Sequence, residues 1–207
     1  MATIVVPFRG RGAKQRLAPL GDNARAAVAE AMLADVLAAC AGVGPILVVA
    51  PSADAGAVEQ AAAGAPIELV PDPGRGQGAA VSAALARVQA EPVLIVNGDL
   101  PCATARDLLA LLGALPAGGL ALVEAADATT NALALATPSL FEPVYGSDSA
   151  ARFRALAPTP AAAQAAAIPN LIDDVDTLDD LRRLAGRLGP RTAEALAASD
   201  QRTGAAA

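Results

Sequence analysis

The chain contains no histidine. Imidazole acid–base catalysis, histidine triads and histidine-ligated zinc are therefore excluded. Chemistry must rest on carboxylates, cations, hydroxyls and backbone N–H groups. Carboxylates stand in two informative places. In "VLIVNGDLP", Asp99 follows the apolar run Val93–Val96, and Pro101 biases the residue before it toward extended backbone. A carboxylate fixed at a strand end suits Mg²⁺, which takes oxygen ligands and shares its shell with substrate phosphates. In "LIDDVDTLDDL", Asp173, Asp174 and Asp176 precede a helix-like run. Each place also has an ordinary explanation. Asp99 can form a turn, and acids with Thr177 can cap a helix N-terminus. The metal reading needs a fold that brings Asp99 to Asp174 and Asp176.

The cations gather elsewhere. "VVPFRGRGAKQRLAP" (Val5–Pro19) packs Arg9, Arg11, Lys14 and Arg16 together before the first acid, Asp22, and Lys14 is the only lysine. A glycine-relaxed loop can turn its N–H groups toward an anion. The loop is neither a Walker A loop nor a dinucleotide fingerprint, since the glycine spacings are wrong for both. A solvated surface loop is the alternative. The formal net charge of -6 argues against nucleic-acid binding through overall charge, so a small, highly charged ligand is expected at this basic spot. A second glycine loop, Gly74–Ala79, does match G-x-G-x-x-A, with Asp99 downstream. It follows the third strand-like run, however, and Leu-Pro directly after Asp99 favours a turn over an open strand tip.

These residues need elements to position them. Strand-like runs are expected at Thr3–Pro7, Ile46–Ala50, Ile67–Val70, Val93–Val96, Leu120–Glu124 and Ala132–Ala136. Helical patterns lie between them. Asn23–Ala41 has Asp22 as its expected N-cap, and Ala55–Ala63, Ala79–Gln89 and Ser149–Leu156 follow. Thr104 with Asp107, and Thr177 with Asp180, have capping-box spacing. The second of these opens a helix to about Leu188, and a frayed tail is expected from Ala197. Such alternation predicts a mostly parallel sheet with helices on both faces, whose ligands sit at the carboxyl ends of strands. Cys40 and Cys102 have neither disulfide density nor metal spacing, so reduced thiols in a cytoplasmic protein are expected. Gly42, Gly44 and Pro45 break the uncharged run Val36–Ala53, so no membrane span is expected. A homodimer is an expectation without a sequence signal.

Taken in order, "PFRGRGAKQRLAP", "DPGRGQGAAVSAAL", "VLIVNGDLP", "TTNALAL", "YGSDSAARF" and "DDVDTLDDL" resemble the CofC/FbiD guanylyltransferases of coenzyme F420 biosynthesis. These belong to the broader MobA-like nucleotidyltransferases. The resemblance runs from Thr3 to about Leu184, and it is most specific at Ala13, Lys14, Arg16 and Leu17, at Thr130–Leu133, at Gly146 and Ser149, and at Asp174–Leu181. It implies a single-domain α/β three-layer sandwich over residues 1–190, with a mostly parallel mixed sheet, GT-A-like and Rossmann-related. Residues 191–207 would be a helix end and flexible tail. It implies transfer of GMP from GTP to 2-phospholactate, phosphoenolpyruvate or 3-phosphoglycerate, with Mg²⁺ as cofactor. Asp99, Asp174 and Asp176 would hold the metal. Arg11, Lys14 and Arg16 would meet the triphosphate. Pro7, Gly12, Asp72, Gly76, Gln77, Gly78 and Asn97 would bind the nucleotide, and Thr130, Asn131, Gly146 and Ser149 the acceptor. A molybdopterin nucleotidyltransferase and a non-catalytic nucleotide-binding protein are the alternatives.

Overall fold

The computed structural model describes residues 1–12, 14–88 and 90–205, the side chains of 202–205 excepted. Ala13 of the basic loop and Gln89, the expected end of one helix, therefore lie outside the described residues. Three short apolar runs become the centre of the sheet: β1 (Thr3–Pro7), β2 (Ile46–Ala50) and β4 (Val93–Val96), every residue of them buried. β1 pairs in parallel with β2 and with β4, and β3 (Ile67–Pro71) extends the sheet beyond β2. Continuous apolar runs fit this placement because helices cover both faces of a parallel sheet. β5 (Leu120–Glu124) and β6 (Thr130–Leu135) then turn the sheet mixed, since β6 runs antiparallel to both β4 and β5. A short edge strand, β7 (Ala163–Ala165), lies parallel to β5. The order is β3-β2-β1-β4-β6-β5-β7.

Side chains alternate between two apolar layers. Ile4, Val6, Val48, Leu94 and Val96 face α1 (Asp22–Ala41) and α4 (Ala105–Gly113), meeting Leu33, Val36, Leu37, Leu108 and Leu111. Val5, Leu47, Val49, Val93 and Ile95 face α3 (Gln77–Leu85) and α5 (Ser149–Ala155), meeting Val81, Ala84, Leu85 and Phe153. α2 (Ala55–Ala62) packs beside α1 through Val58. Each large aliphatic side chain so buried contributes about 1.5–3 kcal/mol. No described helix is long and apolar enough to cross a membrane.

A third, smaller cluster positions the site. Leu17, just beyond the basic loop, and Val175, between two of the aspartates, are both wholly buried in it. Val28 and Met32 of α1, Leu181 of α7 (Leu178–Arg183) and Leu196 of α8 (Pro190–Ala205) complete its walls. The apolar residues next to the charged ones thus fasten the two loops together.

Local details differ from the sequence reading. Asp22 is the first residue of α1 rather than its cap; Gly21 holds that position, and Asp22 pairs with Arg25 at 2.9 Å. α7 ends at Arg183. Of the stretch read as a frayed tail, residues 197–205 belong to α8 and residues 206–207 lie outside the described residues; the N-terminus of α8 rests on buried Asp35 of α1, which accepts from Arg191 N (3.1 Å), Thr192 N (2.8 Å) and Thr192 Oγ1 (2.6 Å). That anchor lies far away in sequence, so no local pattern announces it.

Candidate active site

Asp99 leaves the end of β4 and is met there by the acidic loop. Its backbone carbonyl accepts from Val175 N at 3.1 Å, which puts Asp174 and Asp176 on either side of the contact. One oxygen from each of Asp99, Asp174 and Asp176 lies within 4.8 Å of the others. The loop is shaped from both ends. Beyond it, the capping box on α7 draws Asp180 Oδ2 onto Thr177 N (2.9 Å) and Asp176 N (3.2 Å). Before it stands the one-turn helix α6 (Pro169–Ile172). The buried Asn131 of β6 donates to the last carbonyls of α6, at Leu171 (3.1 Å) and Ile172 (2.9 Å). Helix-terminal carbonyls lack intrahelical partners, so this amide acts as their cap.

Lys14 closes the cluster. Its Nζ lies 2.6 Å from Asp99 Oδ2 and 2.6 Å from Asp176 Oδ1, and Arg16 reaches Asp176 at 3.5 Å. Burial opposes the lysine charge, but the two carboxylates outweigh it and raise the Lys14 pKa above its ordinary value. Asp174 is pushed up to about 6, first by burial and then by Asp99 and Asp176, with Lys14 opposing. Oδ1 of Asp99 is buried and has no hydrogen-bond partner. Three clustered carboxylates, one with an unsatisfied buried oxygen, are the donor set a hard divalent cation takes, so these residues fit Mg²⁺ chemically.

The cluster opens onto a cavity of about 920 Å³ at the carboxyl ends of the parallel strands β1, β3 and β4 and the amino end of β6. Pro7, Lys14 and Arg16 line it from the loop after β1, and Asp72, Gly76 and Gln77 from the loop after β3. Asn97 and Asp99 line it from the turn after β4, Thr130 and Asn131 from the start of β6, Gly146 and Ser149 from the entry to α5, and Asp174 and Asp176 from the acidic loop. Hydrogen bonds set this floor. Gln77 Nε2 donates to Asn97 Oδ1 at 2.7 Å, and Asn97 Nδ2 donates to the Thr130 carbonyl at 3.2 Å. Ser149 does not cap its helix through its side chain; it is buried and donates to Thr130 Oγ1 at 3.2 Å, while Asp148 takes the N-cap position. Gly146 has a φ of +111°, which a side chain would strain.

Three residues expected in the site stand outside this cavity. Arg11 is turned toward Asp54 (2.8 Å) and Glu30 (3.4 Å). Gly12 is exposed, and Gly78 faces a neighbouring recess with Arg75, Ser82 and Pro143. Arg9 of the basic loop also lines the cavity and reaches Gln77 at 3.5 Å. Two further cavity residues had no assigned role in the sequence reading. The pKa of the Asp127 carboxyl is lowered chiefly by its bond from Thr129. Tyr145 lines both the cavity and the recess. Its signal was its place immediately before Gly146.

The arrangement sets a cation seat and a lysine against a wide polar cleft, as a reaction between phosphorylated molecules requires. Residues 12–160 match the MobA-like NTP transferase domain. A phosphoenolpyruvate guanylyltransferase of Conexibacter woesei is 40% identical over 85% of this chain and 83% of its own. A 3-phospho-D-glycerate guanylyltransferase of Phenylobacterium zucineum is 37% identical over 95% of each. Among solved structures, a chain from Desulfovibrio desulfuricans described as a nucleotide-diphospho-sugar transferase superposes with a TM-score of 0.74 at 17% identity, covering 97% of this chain and 96% of that one. A Mycobacterium tuberculosis protein solved in complex with manganese superposes at 0.58 with 22% identity, over 88% and 97%. At those identities the likeness is one of α/β fold alone. On its domain match and its curated relatives, the chain belongs to the MobA-like NTP transferases, in the branch of the CofC/FbiD guanylyltransferases.

Proposed function

We propose that this protein transfers GMP from GTP to the phosphate of a small phosphorylated carboxylic acid, releasing pyrophosphate, in coenzyme F420 biosynthesis. The acceptor is phosphoenolpyruvate, 2-phospho-L-lactate or 3-phospho-D-glycerate. The observation that carries this reading is the meeting of Lys14 with Asp99, at 2.6 Å, beside Asp174 and Asp176 in one cleft, in a chain whose curated relatives are guanylyltransferases.

An oxygen of the acceptor phosphate attacks the α-phosphorus of GTP, the bond from that phosphorus to the β-phosphate oxygen breaks, and pyrophosphate leaves. The acceptor phosphate has a second pKa near about 6, so its oxygen is already largely ionised at neutral pH. No general base is needed, which accounts for a site built without histidine. The obstacle is charge. Two like charges about 4 Å apart repel by about 4 kcal/mol at an effective dielectric near 20. Lys14 and Arg16 offset that repulsion along the triphosphate and stabilise the departing pyrophosphate. Asp99, Asp174 and Asp176 would hold Mg²⁺, which when bound would supply further charge neutralisation. The loop Asp72–Gln77 carries the nucleoside side, and Thr130, Gly146 and Ser149 orient the acceptor. The reaction runs in the cytoplasm on soluble substrates.

A matrix of four nucleoside triphosphates against the three acids, scored by pyrophosphate release, tests the reading. GTP with one of these acids should give Mg²⁺-dependent release. Release only with a pterin phosphate acceptor, or GTP binding without release for any acceptor, would remove it.

A further inference from the structure

The segment that brings Tyr145 and Gly146 to the cavity is held between two helices. From α5, Arg152 donates to the Tyr145 carbonyl at 3.3 Å and to that of Ser147, and Phe153 meets the Tyr145 ring edge-on with centroids 5.0 Å apart. From α3, the support is a missing side chain. A Cβ built on Gly78 would lie 2.6 Å from Pro143 Cβ and 3.1 Å from both the Cα and the carbonyl oxygen of Pro143. Carbon atoms pack at about 3.5–4.0 Å, so no side chain fits there unless Pro143 moves. Gly78 sits in the first turn of α3 and is not among the glycines with positive φ. Its backbone would accept any residue, and space alone demands glycine. Gly76 is the opposite case: its φ is +88°, and a Cβ there would meet nothing within 4 Å. The entry to α3 thus uses one glycine, Gly76, for conformation and another, Gly78, as a notch.

We infer that Gly78 is a specificity-determining residue. Its bare Cα seats Pro143, and this seating fixes Tyr145 and Gly146 close enough to the nucleotide loop that the cleft takes a small phosphorylated acid. The inference rests on the guanylyltransferase reading for the identity of the acceptor, but the seating itself does not. A side chain at position 78 lifts Pro143 and widens the acceptor side. The backbone of Asp72–Gly76 stays held by its own bonds, from Asp72 N to the Ala50 carbonyl and from Gly74 N to Asp72 Oδ1, both 2.9 Å.

The chain has one tyrosine and no tryptophan, so its tyrosine fluorescence reports Tyr145 alone. In Gly78→Ala, the acrylamide quenching constant of Tyr145 should rise about twofold or more, as overpacking displaces the loop. Pro143→Gly added to that variant should bring it back toward wild type. With phosphoenolpyruvate and 3-phosphoglycerate as acceptors, Gly78→Ala should raise the acceptor KM about fivefold or more while the GTP KM moves less than about twofold, and the double variant should recover the acceptor KM. Unchanged quenching in a folded Gly78→Ala protein would overturn the seating. A rise that Pro143→Gly fails to reverse would do the same. A displaced loop with an unaltered acceptor KM would overturn the specificity role. If wild-type protein releases no pyrophosphate with any acceptor, the activity reading and the specificity role that rests on it fail together, and quenching still decides the seating.

Discussion

Asn131→Ala separates two roles for one buried amide. Asn131 is 2% exposed, and its Nδ2 donates to the carbonyls of Leu171 and Ile172 at 3.1 and 2.9 Å. A hydrogen bond of this kind contributes about 1 kcal/mol net, and a buried carbonyl left without a partner costs about 1–3 kcal/mol. Removing the amide strands two carbonyls, so the variant should lose about 2–6 kcal/mol. In a chain of this length each kcal/mol moves Tm by about 2–4 °C, which gives a fall of about 4–24 °C. The same two bonds hold the residues just before Asp173 and Asp174, so divalent-ion affinity should fall about tenfold as well. Scanning calorimetry and Mn²⁺ titration by electron paramagnetic resonance read the two effects. If Asn131 instead bound the acceptor directly, the variant would keep its Tm and its ion affinity and raise only the acceptor KM. That pattern would refute the reasoning.

Lys14→Ala should lower kcat/KM for GTP about a hundredfold or more in pyrophosphate release while circular dichroism still shows a folded protein; near wild-type turnover would remove Lys14 from the mechanism. Asp174 titrates at about 6 in the folded chain against an ordinary 3.8. The folded state therefore holds this proton more tightly than the unfolded one, and the resulting stability is full below about pH 4 and lost as pH rises through about 6. Asp174→Asn should make ion-free protein more stable than wild type at pH 7.5, by up to about 3 kcal/mol, with the gap closing toward pH 4; a gap in urea unfolding that ignores pH would contradict this. Asp35→Ala should cost about 2–4 kcal/mol in the same assay, because Arg191 N and both donors of Thr192 lose their acceptor.

Local signals carried much of the fold. β2 and β4 are unbroken apolar runs and β1 is one after Thr3, and both capping boxes, Thr104 with Asp107 and Thr177 with Asp180, form as their spacing indicates. β6 was harder. It starts at Thr130, two residues before its apolar run, because Thr130 and Asn131 are polar but buried on long-range bonds. β7 is three residues of an alanine-rich edge, too short and bland to stand out. In the site, residue types and order pointed to Lys14, Asp99, Asp174 and Asp176, and the structure brings these four together. What sequence could not show was the partner of each charged group. Arg11 looks like Lys14 in the loop, yet Asp54 and Glu30 hold it aside. Asn131, expected at the acceptor, lines the cavity, and its amide also holds two backbone carbonyls of α6. Such outcomes depend on contacts across the fold that no spacing rule records.

The central claim is that Asp99, Asp174 and Asp176 act as one seat for a divalent cation beside Lys14. Mn²⁺ binding followed by electron paramagnetic resonance, in wild type and in Asp99→Asn and Asp174→Asn, tests it most directly. The account expects a saturable site in wild type, weakened by more than about tenfold in each variant. Equal affinity in all three proteins, or no site in the wild type, would contradict it.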